Sequence, residues 1–317
     1  MLSFRYHIAS LVAVFLALAA GIALGGGPLQ NVGRDSSDQD LASARAALQT
    51  QRDRAADLEQ QTALADEFAS AAGPRLVAGR LTGHTVSVVT LPGADPQVVS
   101  GLTGLLTRAG ARVGATFAVQ PKTTQAANRQ LVDALTSQLA AQEKQISLPR
   151  AASTYERLGG LLARLAGSTT KGGSSYDATA VSILAGLDTA GLVTAKGQPQ
   201  RRGDVVLVVA GPPDASDSEA APAIEQAVAA AMVTGVKGVV VAGPTSSATG
   251  DGVVQAIRSD TAARKVTTVD SVDTGAGRVA TVLAAAGAAA GGHGAYGIVG
   301  DVSGPMPGVA SGRSGSS

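Results

Sequence analysis

The rhythm of apolar and polar positions changes along this chain, and each change marks a different element. Residues 8–24 read IASLVAVFLALAAGIAL without a charged side chain, and the uncharged run continues to Gly27. At about 1.5 Å rise per residue, a helix over 8–27 covers roughly the 30 Å hydrocarbon thickness of a bilayer. A single transmembrane anchor is therefore expected within residues 1–30. A cleaved signal peptide is the alternative. Its apolar region usually runs about 7–15 residues and ends in an A-x-A site, whereas this run is longer and offers only Ala23-Leu24-Gly25. Arg5 precedes the span and the first charge after it is Arg34. The positive-inside bias then holds the N-terminus in the cytoplasm, giving a single-pass cell-membrane protein with its bulk extracytoplasmic. Ala9, Ala13, Ala17, Gly21 and Gly25 fall on every fourth position of this run, a small-residue stripe along which another helix can approach closely.

The next rhythm is a soft heptad. From Asp38 to Ser70 the chain has no Gly or Pro and is rich in Ala, Gln, Arg, Asp and Glu, the composition of an exposed helix. Leu41, Leu48, Ala55 and Thr62 share one seam position, and Ala44, Gln51, Leu58 and Ala65 lie three residues after each. This predicts a coiled-coil helix over 35–72, too weak to stand alone, that forms a homo- or hetero-oligomer with another chain or with help from the membrane. Gly73-Pro74 is expected to stop it and open the next domain.

Beyond residue 74 short β-branched runs alternate with Ala-rich helical ones, which predicts an α/β extracytoplasmic domain with a mostly parallel sheet over 74–302. Strands are expected at 85–91, 112–119, 205–210, 238–242 and 266–269, with helices near 96–109, 221–233, 253–258 and 278–290. Their continuous apolar character fits parallel strands covered on both faces. Residues 122–200 read as a helical insertion, and the Gly- and Ser-rich tail 303–317 as disordered.

Charge and composition then narrow the function. Twenty-five Lys and Arg against 24 Asp and Glu leave a net charge of +1, and with no Trp there is no basis for nucleic-acid binding. Cys is absent, which removes thiolate metal sites and thiol nucleophiles. Open α/β sheets place ligands at strand ends, here Ala210-Gly211-Pro212-Pro213-Asp214, Ala242-Gly243-Pro244-Thr245-Ser246 and Asp273-Thr274-Gly275-Ala276-Gly277. None completes a phosphate-binding motif. Asp270 and Asp273 form a carboxylate pair better suited to capping the next helix than to acid/base work. No G-x-S-x-G elbow is present. A non-enzymatic chain without a cofactor is the expectation. Only His84 and His293 lie outside the membrane segment as imidazole ligands, and a lone His without neighbours closes no metal site.

The opening Arg-Tyr-His-Ile-Ala-Ser-Leu-Val-Ala-Val-Phe-Leu, the coiled coil, the segment Thr268-Val269-Asp270-Ser271-Val272-Asp273 with Gly277-Arg278-Val279, and Gly291-Gly292-His293-Gly294-Ala295-Tyr296-Gly297 together resemble the MctB family of mycobacterial copper transport proteins, called SteB-like in corynebacteria. The resemblance covers nearly the whole chain. It implies an actinobacterial cell-envelope protein with a role in copper efflux or homeostasis, copper being the transported ion. The corynebacterial members imply an alternative, a partner of a membrane protein in cell separation and peptidoglycan hydrolase control. The residues by themselves fit a partner-binding chain better than a copper channel, because Met stands only at 1, 232 and 306, His only at 7, 84 and 293, and the span has no polar lining.

Overall fold

The computed structural model describes residues 11–21, 29–143, 152–213 and 221–309. The chain divides into two compact units, 1–64 and 65–317.

The first unit holds helix α1, residues 11–21, and most of α2, Leu29–Val77. Along α2 the side chains from 42 to 65 are exposed. Local bonds typical of a solvated helix tie them to each other, such as Gln49 Nε2 to Asp53 Oδ1 at 3.0 Å.

The second unit is a doubly covered sheet. Its strands are β1 (Thr85–Thr90), β2 (Arg112–Val119), β4 (Val193–Lys196), β6 (Val205–Val209), β7 (Gly238–Ala242), β8 (Thr267–Val269) and β9 (Ala295–Tyr296), in the order β4-β2-β1-β6-β7-β8-β9. Every pairing is parallel except β2 with β4. A separate ribbon pairs β3 (Ser174–Ser175) with β5 (Arg201–Arg202). Helices α4 (Arg129–Gln142), α5 (Thr154–Ala166), α6 (Ala178–Thr189), α7 (Ala221–Met232) and α8 (Val253–Ser259) cover one face with Val206, Val208, Val239 and Val241. The end of α2, α3 (Pro96–Arg108) and α9 (Gly275–Ala289) cover the other with Val205, Leu207, Val209 and Val240. The period-two alternation of strand side chains thus divides each apolar run between two cores. Each such side chain, once buried, contributes about 1.5–3 kcal/mol.

Several expectations need correction. Gly73-Pro74 does not stop α2, which runs on to Val77 with Pro74 inside it. Proline near a helix end removes only one intrahelical bond. Burial of Val77 and Leu81, both fully covered, holds the chain down beyond it. Gly73 is needed for contact, since a Cβ there would lie 2.7 Å from Val279 Cγ2 on α9. The insertion over 122–200 contains strands as well as helices. Edge strand β4 pairs antiparallel with β2, Phe117 opposite Ala195, in a run too short and too mixed to show a strand period. The body also continues past 302. Ser303 donates to Ala295 O at 2.7 Å and Gly297 to Gly304 O at 3.0 Å, so the chain is tied down there. Residues 310–317 lie outside the described residues.

Candidate functional site

From β1 the chain steps outward to β2 on one side, and from β6 it steps to β7 on the other, so the topological switch point lies between β1 and β6. The loops leaving these strands meet backbone to backbone. A Cβ on Gly211 would lie 2.4 Å from Gly93 C, and only glycine permits this approach. The expected ligand segment 210–214 is thus closed at Gly211, while Asp214 lies outside the described residues.

Beside the switch point, at the same strand ends, is a cavity of about 450 Å³ lined by Ser70, Asp95, Gln97, Asp273 and Arg278. Much of its polar wall is already committed. Asp95 caps α3 by accepting from Gln97 N at 2.8 Å. Arg278 Nη1 donates to Asp273 O at 3.1 Å. The carboxylate pair expected to cap α9 does not do so: Thr274 is the cap, and Gly275 N donates to Asp66 Oδ1 at 2.6 Å. Asp270 instead lies fully buried, accepting from Ile298 N, Val299 N and Arg258 Nη1 at 2.8, 3.2 and 3.0 Å. Arg258 also donates to Thr268 Oγ1 and to the carbonyls of Tyr296 and Val299. One ion pair thereby fastens β9 and the loop after it to α8. No sequence signal announces the pair.

The imidazoles are far apart in role. His84 Nδ1 lies 2.7 Å from Asp204 Oδ2, and the other Asp204 oxygen accepts from Thr85 N at 2.8 Å. Burial alone would raise the Asp204 carboxyl, yet the His84 hydrogen bond and the Thr85 and Gly172 amides hold it below the usual carboxylate value. His84 is a strut joining the start of β1 to the start of β6. His293 is exposed in the turn before β9, sharing a cavity of about 340 Å³ with Lys237 and Lys265, company that disfavours a bound cation. Met232 is fully buried in one core, and Met306 packs against the other. Among the described residues no group of three or more His, Cys, Asp or Glu is placed to hold a metal ion. The soft and imidazole donors that copper prefers are thus dispersed here.

Of the small-residue stripe, Ala13, Ala17 and Gly21 are exposed on α1, and a Cβ on Gly21 would meet nothing within 4 Å. Ala9 and Gly25 lie outside the described residues, as do the flanks of the expected span. Within the described residues no helix is long and apolar enough to cross a membrane. The seam positions Ala44, Leu48, Gln51, Ala55, Leu58, Thr62 and Ala65 follow Leu41 on α2, and all seven are exposed. Leu64 and Phe68, 68 and 72% exposed, add apolar surface that the heptad reading missed. They stand off the seam at spacing i, i+4, so only the exposure reveals them.

Residues 1–307 match the family described as copper transport outer membrane protein, MctB. Relatives named copper transporter MctB from Mycobacterium bovis and Mycobacterium tuberculosis are each 30% identical over 310 residues, covering 94% of this chain and 96% of their own. A relative of the same name from Mycobacterium leprae is 28% identical over 319 residues, with the same coverage.

Proposed function

The chain belongs to the MctB family of copper transport outer membrane proteins, and from that premise we propose that it serves copper efflux from the cell envelope as a tethered accessory acting through α2 on another chain. The tether is a single helix over 8–27 with the N-terminus cytoplasmic, as its charge bias favours. The observation that carries the reading is the row of apolar side chains left in solvent along α2, Leu48 at 58% and Leu58 at 62% exposed. Isolated helices gain most of their stability by burying such a face. The dispersed copper donors support the same reading, since one His between two lysines cannot strip an ion of its water. Copper is the cargo of the assembly and need not be ligated by the α/β body.

The test is intracellular copper in a deletion strain grown in excess copper. Wild type and a His293→Ala/Met306→Leu variant should both restore low copper, while Leu48→Gln/Leu58→Gln should leave copper near the deletion level. Rescue by the α2 variant together with failure of the ligand variant would reverse the assignment. The same exposed face supports a second reading, partnership with a membrane protein in cell separation. Unseparated daughter cells with unchanged copper in the α2 variant would select it.

A further inference from the structure

At the opposite end of the strands from the switch-point loops, where α5 ends beside the starts of β6 and β7, lies a cavity of about 270 Å³ lined by Arg164, Arg202, Ser168, Thr169, Thr170 and Ser174. Its ionisable lining is two arginines. Arg164, with its side chain 8% exposed, donates through Nη2 to both oxygens of Asp177 at 2.9 Å, while its Nε lies 3.3 Å from Glu143 Oε2 in an ion pair without a hydrogen bond. Its Nη1 is buried with no hydrogen-bond partner among the described residues, and so is the Ser174 hydroxyl. Buried donors without acceptors cost about 1–3 kcal/mol each, more when charged, and native proteins rarely leave them so. Arg202 stands alongside, its Nη1 on Arg164 O at 3.3 Å and its Nη2 3.2 Å from Asp177 Oδ2. Burial first, and after it the neighbouring Arg164 charge, pull the Arg202 guanidinium below its ordinary value against the opposing pull of Asp177. Lys171 and Arg201 add positive charge from the same loop and ribbon.

We propose that this cavity binds a phosphate-type oxyanion that accepts from Arg164 Nη1 and Ser174 Oγ. A planar guanidinium and a hydroxyl are donors that oxyanion acceptors satisfy, and a charged acceptor shortens and strengthens both bonds. The ligand is either free phosphate or a phosphomonoester headgroup, which share this chemistry. The site is independent of the copper reading and of α2.

The experiment is titration calorimetry of the full chain in detergent, with sodium phosphate against sodium acetate at constant ionic strength. Ser174→Ala is the first variant, because its hydroxyl has no partner to lose and the fold should be unaffected, as the melting temperature without phosphate verifies. Phosphate should bind wild type and bind Ser174→Ala about 10-fold more weakly, the size of one hydrogen bond to a charged acceptor. Thr170→Val provides a second check, with a smaller loss expected. A parallel arm measures recruitment to vesicles containing phosphatidic acid. Recruitment that Ser174→Ala weakens assigns the headgroup, whereas phosphate binding without recruitment assigns the free ion. No phosphate binding by wild type, equal binding of acetate, or equal phosphate affinity in Ser174→Ala would each overturn the site.

Discussion

Two stretches of chain use the same aliphatic residues to opposite ends. In the first unit Leu48 and Leu58 stand more than half exposed on α2, with local side-chain bonds around them. In the second, Val205–Val209 and Gly238–Ala242 are buried at every position, and charged side chains go under with them. The body closes its own books: Asp204 and Asp270 are both fully buried because a partner waits there. The α2 arm leaves its apolar surface open. What separates the two is supply of partners within the chain, not hydrophobicity, and this divides a region that carries its own stability from one that, on the function proposed above, gains it by meeting another molecule.

The sharpest way to break this contrast is to remove a buried charge from the body. Asp270→Ala leaves Arg258, 10% exposed, facing no carboxylate and strips the Ile298 and Val299 amides of their acceptor. Breaking a buried pair from one side costs about 3–5 kcal/mol, which lowers the melting temperature of a body this size by on the order of 10 °C. Calorimetry on the full chain measures it. A shift under about 2 °C would mean that the pair is not part of what holds β9 in place.

Acid gives the next, smaller effect. The folded Asp204 and Asp177 carboxyls both sit below their unfolded value. For Asp177 burial pushes upward, but the Ala180 amide and Arg164 outweigh it. A depressed folded value contributes stability that is complete above the unfolded value of about 3.9 and is lost as pH falls through the folded one. Urea midpoints of the body should therefore be level from neutral pH down to about pH 5 and then fall steadily below about pH 4. A midpoint unchanged down to about pH 3 would show that these carboxylates are not paired in solution.

How much of this was legible follows the same division. The strands at 205–209 and 238–242 could be read directly, because five apolar β-branched or small residues bounded by Gly and Pro have few other fates. The α3 start was legible for the same local reason, Asp95 followed by Pro96. What could not be read depends on distance along the chain. Asp66 accepts from the Gly275 amide 209 residues later, at the start of α9, and His84 meets Asp204 across 120. No local pattern encodes such pairings, and a lone buried Arg looks in sequence like any solvated one. The arginine cavity was missed entirely, since Arg164 sits in an amphipathic helix where a surface role is the natural reading. The switch point carries no phosphate motif, while the polar donors without acceptors lie at the other end of the strands.

The smallest expected change in stability falls in the arm, and it is the most telling. Leu48→Gln/Leu58→Gln replaces exposed side chains by others of nearly equal helix propensity, so the melting temperature of the body should move by less than the equivalent of about 0.5 kcal/mol. Association is where the variant should differ. The chain has no cysteine, so Ala55→Cys places a unique thiol in the expected seam. In membranes under mild oxidation it should form a disulfide-linked species, either with a second copy or with another chain that offers a thiol, and this species should vanish when Leu48 and Leu58 become Gln. A cross-link that persists in the double variant would place association elsewhere, with Leu64 and Phe68 the next side chains to change. A body that melts lower instead would mean that these leucines are covered by the chain's own residues, and the contrast between arm and body would be wrong at its root.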